Sequence, residues 1–492
     1  MAGKKNKKQP KKKKKHPGQP SGGPNVLAWE DDPQGNTPVS VPTPDPAEKP
    51  LAFRFPTPTP AAGQYPLGTA SFRYWVAVAA LRRGANFWSP GIPGGQWQVG
   101  SVLPVLLDEG EDLNAYYDRE ALNFFHGPGA QGAELVYSGE SPDVLCHEMG
   151  HAILDTVKPG LWDAATQEVP AFHESFGDMS AILSDLQVPT LRTAVLQETQ
   201  GHLYRNSRVS RLAEQLGSAI RAQAPDAVDS DCLRNAVNSF TYHDPLTLPS
   251  SAPSSQLSSE PHSFSRVFTG AFFEGLAGML AATAQNSNSP TEEELLAVSH
   301  DMGTILLAAI RQAPIVANFY SQVATAMVQA ANSINSAYGP VLNAAFVRRS
   351  ILSLQSASAM RGLSTTVATA KGIAAAVSAV ASEVPLARVA LDGNRFGLGN
   401  QPILVHTASQ ARSVSVYASA ANGEQLTPPS ADAAATAFVD DLIRRGKVAL
   451  PQRRGAMAVL GPRRTLKTHK LVAADEGLLL QRVLFDCGHR HR

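Results

Sequence analysis

Apolar positions recur at helical spacing over much of the middle of the chain. Phe72 to Arg83 shows it, as do Val144 to Asp155, Glu168 to Leu186, Ser265 to Ala284, Thr291 to Arg311, Ala317 to Ser336 and Leu342 to Ser353. Each is predicted to be a helix with a buried face. Gln96 to Leu107 reads as strand, and Pro104 points to an exposed edge because proline brings no N–H to an inner ladder. Beyond Pro385 short β-branched runs, Pro402 to His406 and Val414 to Ser419 among them, accompany one helical stretch at Ala433 to Arg445. The pattern predicts an α+β protein. A β-containing lobe with an edge strand occupies 66–186 and a helical lobe 187–360. An Ala-rich helical spacer, the helix Leu363 to Ala381, falls in 361–385, and a small α+β appendage in 386–492.

Two helix starts are marked by their own chemistry. Ser141 suits an N-cap, Pro142 the first helical position and Asp143 the positive end of the helix dipole. After the break at Lys158-Pro159-Gly160, the next helix carries Pro170 in its first turn.

Composition adds a tail to this picture. Residues 1–65 are rich in Lys, Pro, Gly and Thr and are expected to be disordered or polyproline-like. Nine of the 43 basic residues lie among the first fifteen, leaving 34 against 42 acidic residues, a body charge of about −8. Such a lysine tail suits contact with nucleic acid or an acidic surface. The 43% hydrophobic and 17% charged content over 492 residues fits a soluble protein of two or three domains. Cys146, Cys232 and Cys487 form no disulfide framework, and the N-terminus lacks the apolar core of a secretory signal, so a cytoplasmic location is expected. The best bilayer candidate, Val267 to Ala284, is interrupted by Glu274 and several glycines, which argues against a membrane span.

Candidate chemistry sits on the first of the two marked helices. His147 and His151 are spaced i, i+4, so both imidazoles share one helix face, with Glu148 beside them. A divalent metal lowers the pKa of a coordinated water toward neutrality, and an adjacent carboxylate can take its proton. At this chain's own His and Glu frequencies, a chance match to His-Glu-x-x-His is on the order of one in a hundred. Glu174 and Asp178 repeat the i, i+4 spacing on the next helix, among Phe172, Phe176, Met179, Ile182 and Leu183. Carboxylates on a buried helix require partners. Glu174 is the candidate third metal ligand, and Asp178 the acceptor for the other ring N–H of a ligating histidine. Cys146 points away from His147 and reads as a small core residue, and Cys487-Gly488-His489-Arg490-His491 reads as a frayed basic end.

The pairing of His147-Glu148-x-x-His151 with Glu174-x-x-x-Asp178 resembles the thermolysin-like zinc peptidases of the gluzincin group, over about residues 70–355. The resemblance implies a two-lobe fold with Zn2+ on His147, His151 and Glu174, and Glu148 as general base. It further implies His262 as second catalytic histidine, Arg234 as binder of a substrate carbonyl, and Asn114 and Ala115 as the segment that holds the substrate backbone. The chain departs from the family's pattern in two respects. No tyrosine lies between His151 and Glu174, where the family offers one to the oxyanion, and Trp162 is the nearest aromatic. The signal, propeptide and acidic calcium sites of secreted relatives have no counterpart either. The expected activity is peptide hydrolysis, with a peptide pairing along an edge near Val102 to Leu106 and Asn114. The alternative is a peptidase-fold binding protein whose lysine tail docks an acidic partner or nucleic acid.

Overall fold

The computed structural model describes residues 24–130, 134–363, 385–408, 416–450 and 466–488. The lysine run of the first fifteen residues lies outside them, as does most of the expected spacer. From residue 24 onward the expected tail is built into the fold. Strands β1 (Asn25–Ala28) and β2 (Val39–Pro42) form an antiparallel pair. Strand β3 (Ala52–Arg54) pairs in parallel with β4 (Val102–Leu106). The reason is local: short apolar runs interrupt the Pro/Thr-rich stretch, and Val26, Ala28, Leu51 and Phe53 are all buried. They cover helix α1 (Ala70–Trp88), which Thr69 caps by accepting from Phe72 N.

Four short strands follow α1 and β4: β5 (Ala115–Tyr117), β6 (Leu122–Phe124), and the outlying antiparallel pair β7 (His126–Pro128) and β8 (Leu135–Tyr137). Helix α2 (Pro142–Val157) starts as its sequence predicts, with the Ser141 side chain accepting from Val144 N and Pro142 in the first turn. Helix α3 (Glu168–Asp185) runs antiparallel to it, since His147 meets Asp178 while His151 meets His173. The two helices touch at glycine: a Cβ on Gly150 would lie 2.9 Å from Gly177 Cα, and one on Gly177 would lie 2.5 Å from the His147 ring. That absence of side chain lets the His147 imidazole lie across α3.

Helix α4 (Pro189–Thr199) and helix α5 (Glu214–Gln223) were not foreseen; α5 lies between the paired strands β9 (Arg211–Leu212) and β10 (Arg234–Asn235). The predicted helical lobe is α6 (Pro261–Thr283), α7 (Glu292–Gln312), α8 (Phe319–Ile334), α9 (Tyr338–Arg348) and α10 (Leu354–Leu363). Thr291 and Glu294 close a capping box at the start of α7.

The region after 385 has a core of its own, where Ile403, Val405, Phe438, Val439 and Leu480 pack together. Its sheet runs β11 (Arg388–Leu391), β12 (Ile403–His406), β15 (Gly477–Arg482), β14 (His469–Ala474), β13 (Val448–Ala449), beside helix α11 (Ala431–Arg444). It is not a detached appendage. Val416, Ala418 and Phe485 join the main core, and strand β16 (Phe485–Asp486) completes the N-terminal sheet, whose order is β16-β5-β6-β4-β3.

That order corrects the expected edge. Strand β4 lies inside the sheet between β6 and β3, and the strand bordering the histidine helix is β5. Pro104 is tolerated on an inner strand because the ladder to β6 involves only Val105 and Leu106. Among the described residues, no helix is long and apolar enough to cross a membrane.

Candidate metal centre

The antiparallel α2/α3 pair brings His147, Glu148, His151, Glu174 and Asp178 into one buried cluster, all at most 5% exposed. His147 Nε2 lies 3.3 Å from Glu174 Oε2, and His151 Nε2 lies 3.8 Å from Glu174 Oε1. Behind them His147 Nδ1 lies 3.0 Å from Asp178 Oδ1, the position expected for the acceptor that turns Nε2 toward a metal. His147 Nε2 and both carboxylate oxygens of Glu148 have no hydrogen-bond partner although they are buried. Buried polar atoms of this kind are normally satisfied, so an imidazole nitrogen with only a carboxylate beside it, next to a buried carboxylate without partners, suits the donor set of a cation.

Sequence reasoning missed the fourth member. Cys487 was read as part of a frayed end, yet it is buried, and its Sγ lies 3.2 Å from His151 Nε2 and 3.8 Å from Glu174 Oε2. His147, His151, Glu174 and Cys487 offer donor atoms that all lie within 4.8 Å of one another. A tetrahedral centre with bonds of about 2.0–2.3 Å has edges of about 3.3–3.8 Å, which the measured pairs match closely. Residues 489–492 lie outside the described residues. Cys146 behaves as expected, buried with its Sγ 3.5 Å from Ala80 O.

The electrostatics separate donors by role. Burial pushes His151 well below its ordinary value, aided by His147, His262 and Arg234, so it is held neutral, the form a metal donor needs. Burial also acts downward on His147, but its close contacts with the Asp178 and Glu174 carboxylates prevail and raise it to about 9. For Glu174 burial acts upward, and the positive charge of His262 and the contact with His147 outweigh it, leaving the carboxyl below its usual range. Burial is the largest influence on Glu148 and raises it to about 8 against the opposing pull of His147 and Cys487.

The remaining expected residues are all brought to this place. His262 falls in the first turn of α6, not in a preceding loop, with Nε2 3.3 Å from Glu174 Oε2. Its Nδ1 lies 2.8 Å from Glu260 Oε1, a positioning carboxylate that the sequence reading did not single out. Arg234, on β10, places Nη2 2.9 Å and Nε 3.1 Å from Asp178 Oδ1 and Nη2 3.4 Å from His147 Nδ1. Its neighbours Arg208 and Arg211 pair instead with Glu198 and Glu214. Asn114 and Ala115 stand at the start of β5 beside Cys487 and Gly488. Trp162 is directed elsewhere, its indole N–H donating to Arg482 O at 3.4 Å, so it does not replace the family's tyrosine. His173 was also overlooked; both its ring nitrogens are buried without partners and its ring stacks on Phe485 at 4.0 Å.

No family model matches this chain, and no curated protein matches it.

Proposed function

We propose that this protein is a zinc-dependent peptidase of the thermolysin-like type. The observation that carries the reading is the convergence of His147 Nε2, His151 Nε2 and the Glu174 carboxylate beside the partnerless carboxylate of Glu148. His147, His151 and Glu174 would hold the ion. Zinc there supplies Lewis acidity toward a carbonyl and toward water.

The chain's own groups perform the rest. Glu148, raised toward neutrality by burial, is suited to accept a proton from water and pass it to the leaving amine. His262 and Arg234 border the same space and carry positive charge, which suits a developing oxyanion. Asp178, pinned by Arg234, fixes the tautomer and orientation of His147. Along β5, Ala115 O accepts from Cys487 N, so an extended peptide would pair there in that segment's place.

One observation favours a second reading. Four protein donors are the mark of a closed structural zinc site, and Cys487 supplies the fourth. Two variants separate the readings. Glu148→Gln retains one zinc per chain and loses peptide hydrolysis by about 10²–10⁴-fold if Glu148 is the base; unchanged activity rejects the mechanism. Glu174→Ala loses the zinc, read by metal analysis of the purified protein, and full retention rejects the ligand set.

A further inference from the structure

Residues 485–488 lie where the proposed reading requires a substrate. Phe485 and Asp486 pair antiparallel with Tyr117 and Tyr116, so β16 is an added strand on β5. Cys487 N donates to Ala115 O at 3.1 Å, extending the ladder by one residue toward the histidines. Asn114 Nδ2 donates to Asp486 Oδ1 at 3.0 Å, and Lys447 Nζ donates to Asp486 Oδ2 at 2.8 Å. Phe485 stacks on the His151 ring at 5.0 Å and on His173 at 4.0 Å. The fit around Gly488 is close enough that a Cβ there would lie 2.3 Å from the Asn114 side chain.

The segment also divides the surrounding space. Cys487 lines a cavity with Glu148, Asp178 and Arg234, and a second with Glu260, His262 and Arg266; Phe485 and Asp486 line a third with Glu174 and His262. Withdrawn, the segment would leave these as one cleft running along β5 past the metal ligands.

We infer that residues 485–488 are an internal competitor that holds the enzyme latent, bound along β5 as a peptide substrate would be, with Cys487 sulfur as removable fourth metal donor. The inference rests on the metallopeptidase reading. Cysteine binds a metal as the thiolate. Closing therefore forms one metal–sulfur bond and releases the thiol proton to solvent; opening breaks that bond and returns a proton to sulfur, with no oxidant or reductant. The difference from a structural zinc site is that this donor follows a two-residue strand, outside any helix or strand, whereas the other three sit on long helices.

The test uses the full chain loaded with Co2+ alone, in the wild type, Cys487→Ala and Gly488→Val. Gly488→Val keeps the sulfur but drives a side chain into Asn114, so it dislodges the segment by a different route. All three are expected to bind one Co2+ per chain. The wild type should show a near-ultraviolet sulfur-to-cobalt charge-transfer band, absent in Cys487→Ala and weakened in Gly488→Val. Both variants should hydrolyse a random peptide library faster, on the order of tenfold or more, as expected when a largely closed population is opened. A wild type that binds Co2+ without the band overturns the inference and leaves the metal reading standing. A band accompanied by no gain in hydrolysis in either variant overturns latency and establishes a closed structural centre. Failure of all three to bind Co2+ removes the metal reading and the inference with it.

Discussion

Helices α2 and α3 carry two groups of buried carboxylates whose titration is shifted in opposite directions. In the first, Glu174 and Asp178 face His147, His262 and Arg234, and both are held below their ordinary range despite burial. In the second, at the other end of the same helix pair, Asp143 and Asp185 meet Asp31 and Asp32 from the N-terminal segment. Burial raises all four, Asp185 to about 7 and Asp31 to about 6, and repulsion from the neighbouring aspartates adds to it for Asp31, Asp143 and Asp185. Arg83 lies 2.9 Å from Asp185 and Arg208 lies 3.5 Å from Asp31, but Asp32 and Asp143 are held chiefly by neutral donors: Ser141 Oγ, Gln215 N and Ala213 N. Burial is shared by the two groups, so the charge of the partners decides the difference. The first group is kept ionised, which suits Glu174 as a candidate metal donor and Asp178 as the acceptor behind His147. The second acts as a hydrogen-bonding hub that ties residues 31–32 and 213–215 to the start of α2.

The largest effect is expected where the first group loses its balance. Asp178→Asn leaves Arg234 buried without its counter-charge, a change that typically costs about 3–5 kcal/mol. Chemical denaturation of the metal-free protein measures it, and a loss below about 1 kcal/mol would show that the pair is far less desolvated than its geometry implies. Next, Gly177→Ala drives a methyl group into the His147 ring on the metal side of the helix contact while leaving the aspartate hub untouched. Zinc affinity should fall by about 10–100-fold, as for other displaced supports of a ligand, measured by competition with a chelator.

The smallest effect belongs to the second group and carries a definite sign. Its folded-state values lie above the unfolded 3.8, so the stability they contribute is fully present below about pH 3.8 and is lost as pH rises through about 6 to 7. Asp143→Asn keeps an oxygen for Ala213 N and removes one repelling charge. The fall in stability over that window should shrink by about 1–2 kcal/mol, read from denaturation midpoints across the pH series. A fall identical to that of the wild type would mean that the four carboxyls do not titrate against one another.

The comparison also marks the limit of what local pattern conveys. Two histidines four residues apart share a helix face whatever surrounds them, and the same holds for Glu174 and Asp178. The pair of motifs was therefore readable from spacing alone, and the cap at Ser141 from residue type. The aspartate hub was not readable, because its members come from residues 31–32, 143 and 185 and no single window contains them. Short strands escaped for a related reason: β5, β6 and β16 are two or three residues long, too few for an alternating pattern to emerge.

The sequence by itself determined the juxtaposition of three of the four candidate metal donors, the carboxylate of Glu148 beside them, the acceptor behind His147 and the helices that carry all of these, since each follows from periodicity within one helix. Only the tertiary structure decided that β5 rather than β4 borders the site, that Glu260 supports His262, and that Cys487 reaches Glu174 across 313 positions of chain. Such meetings depend on how whole elements pack, through the burial of residues such as Phe485 against His151 and His173, and packing is a property of the assembled core that no local spacing encodes.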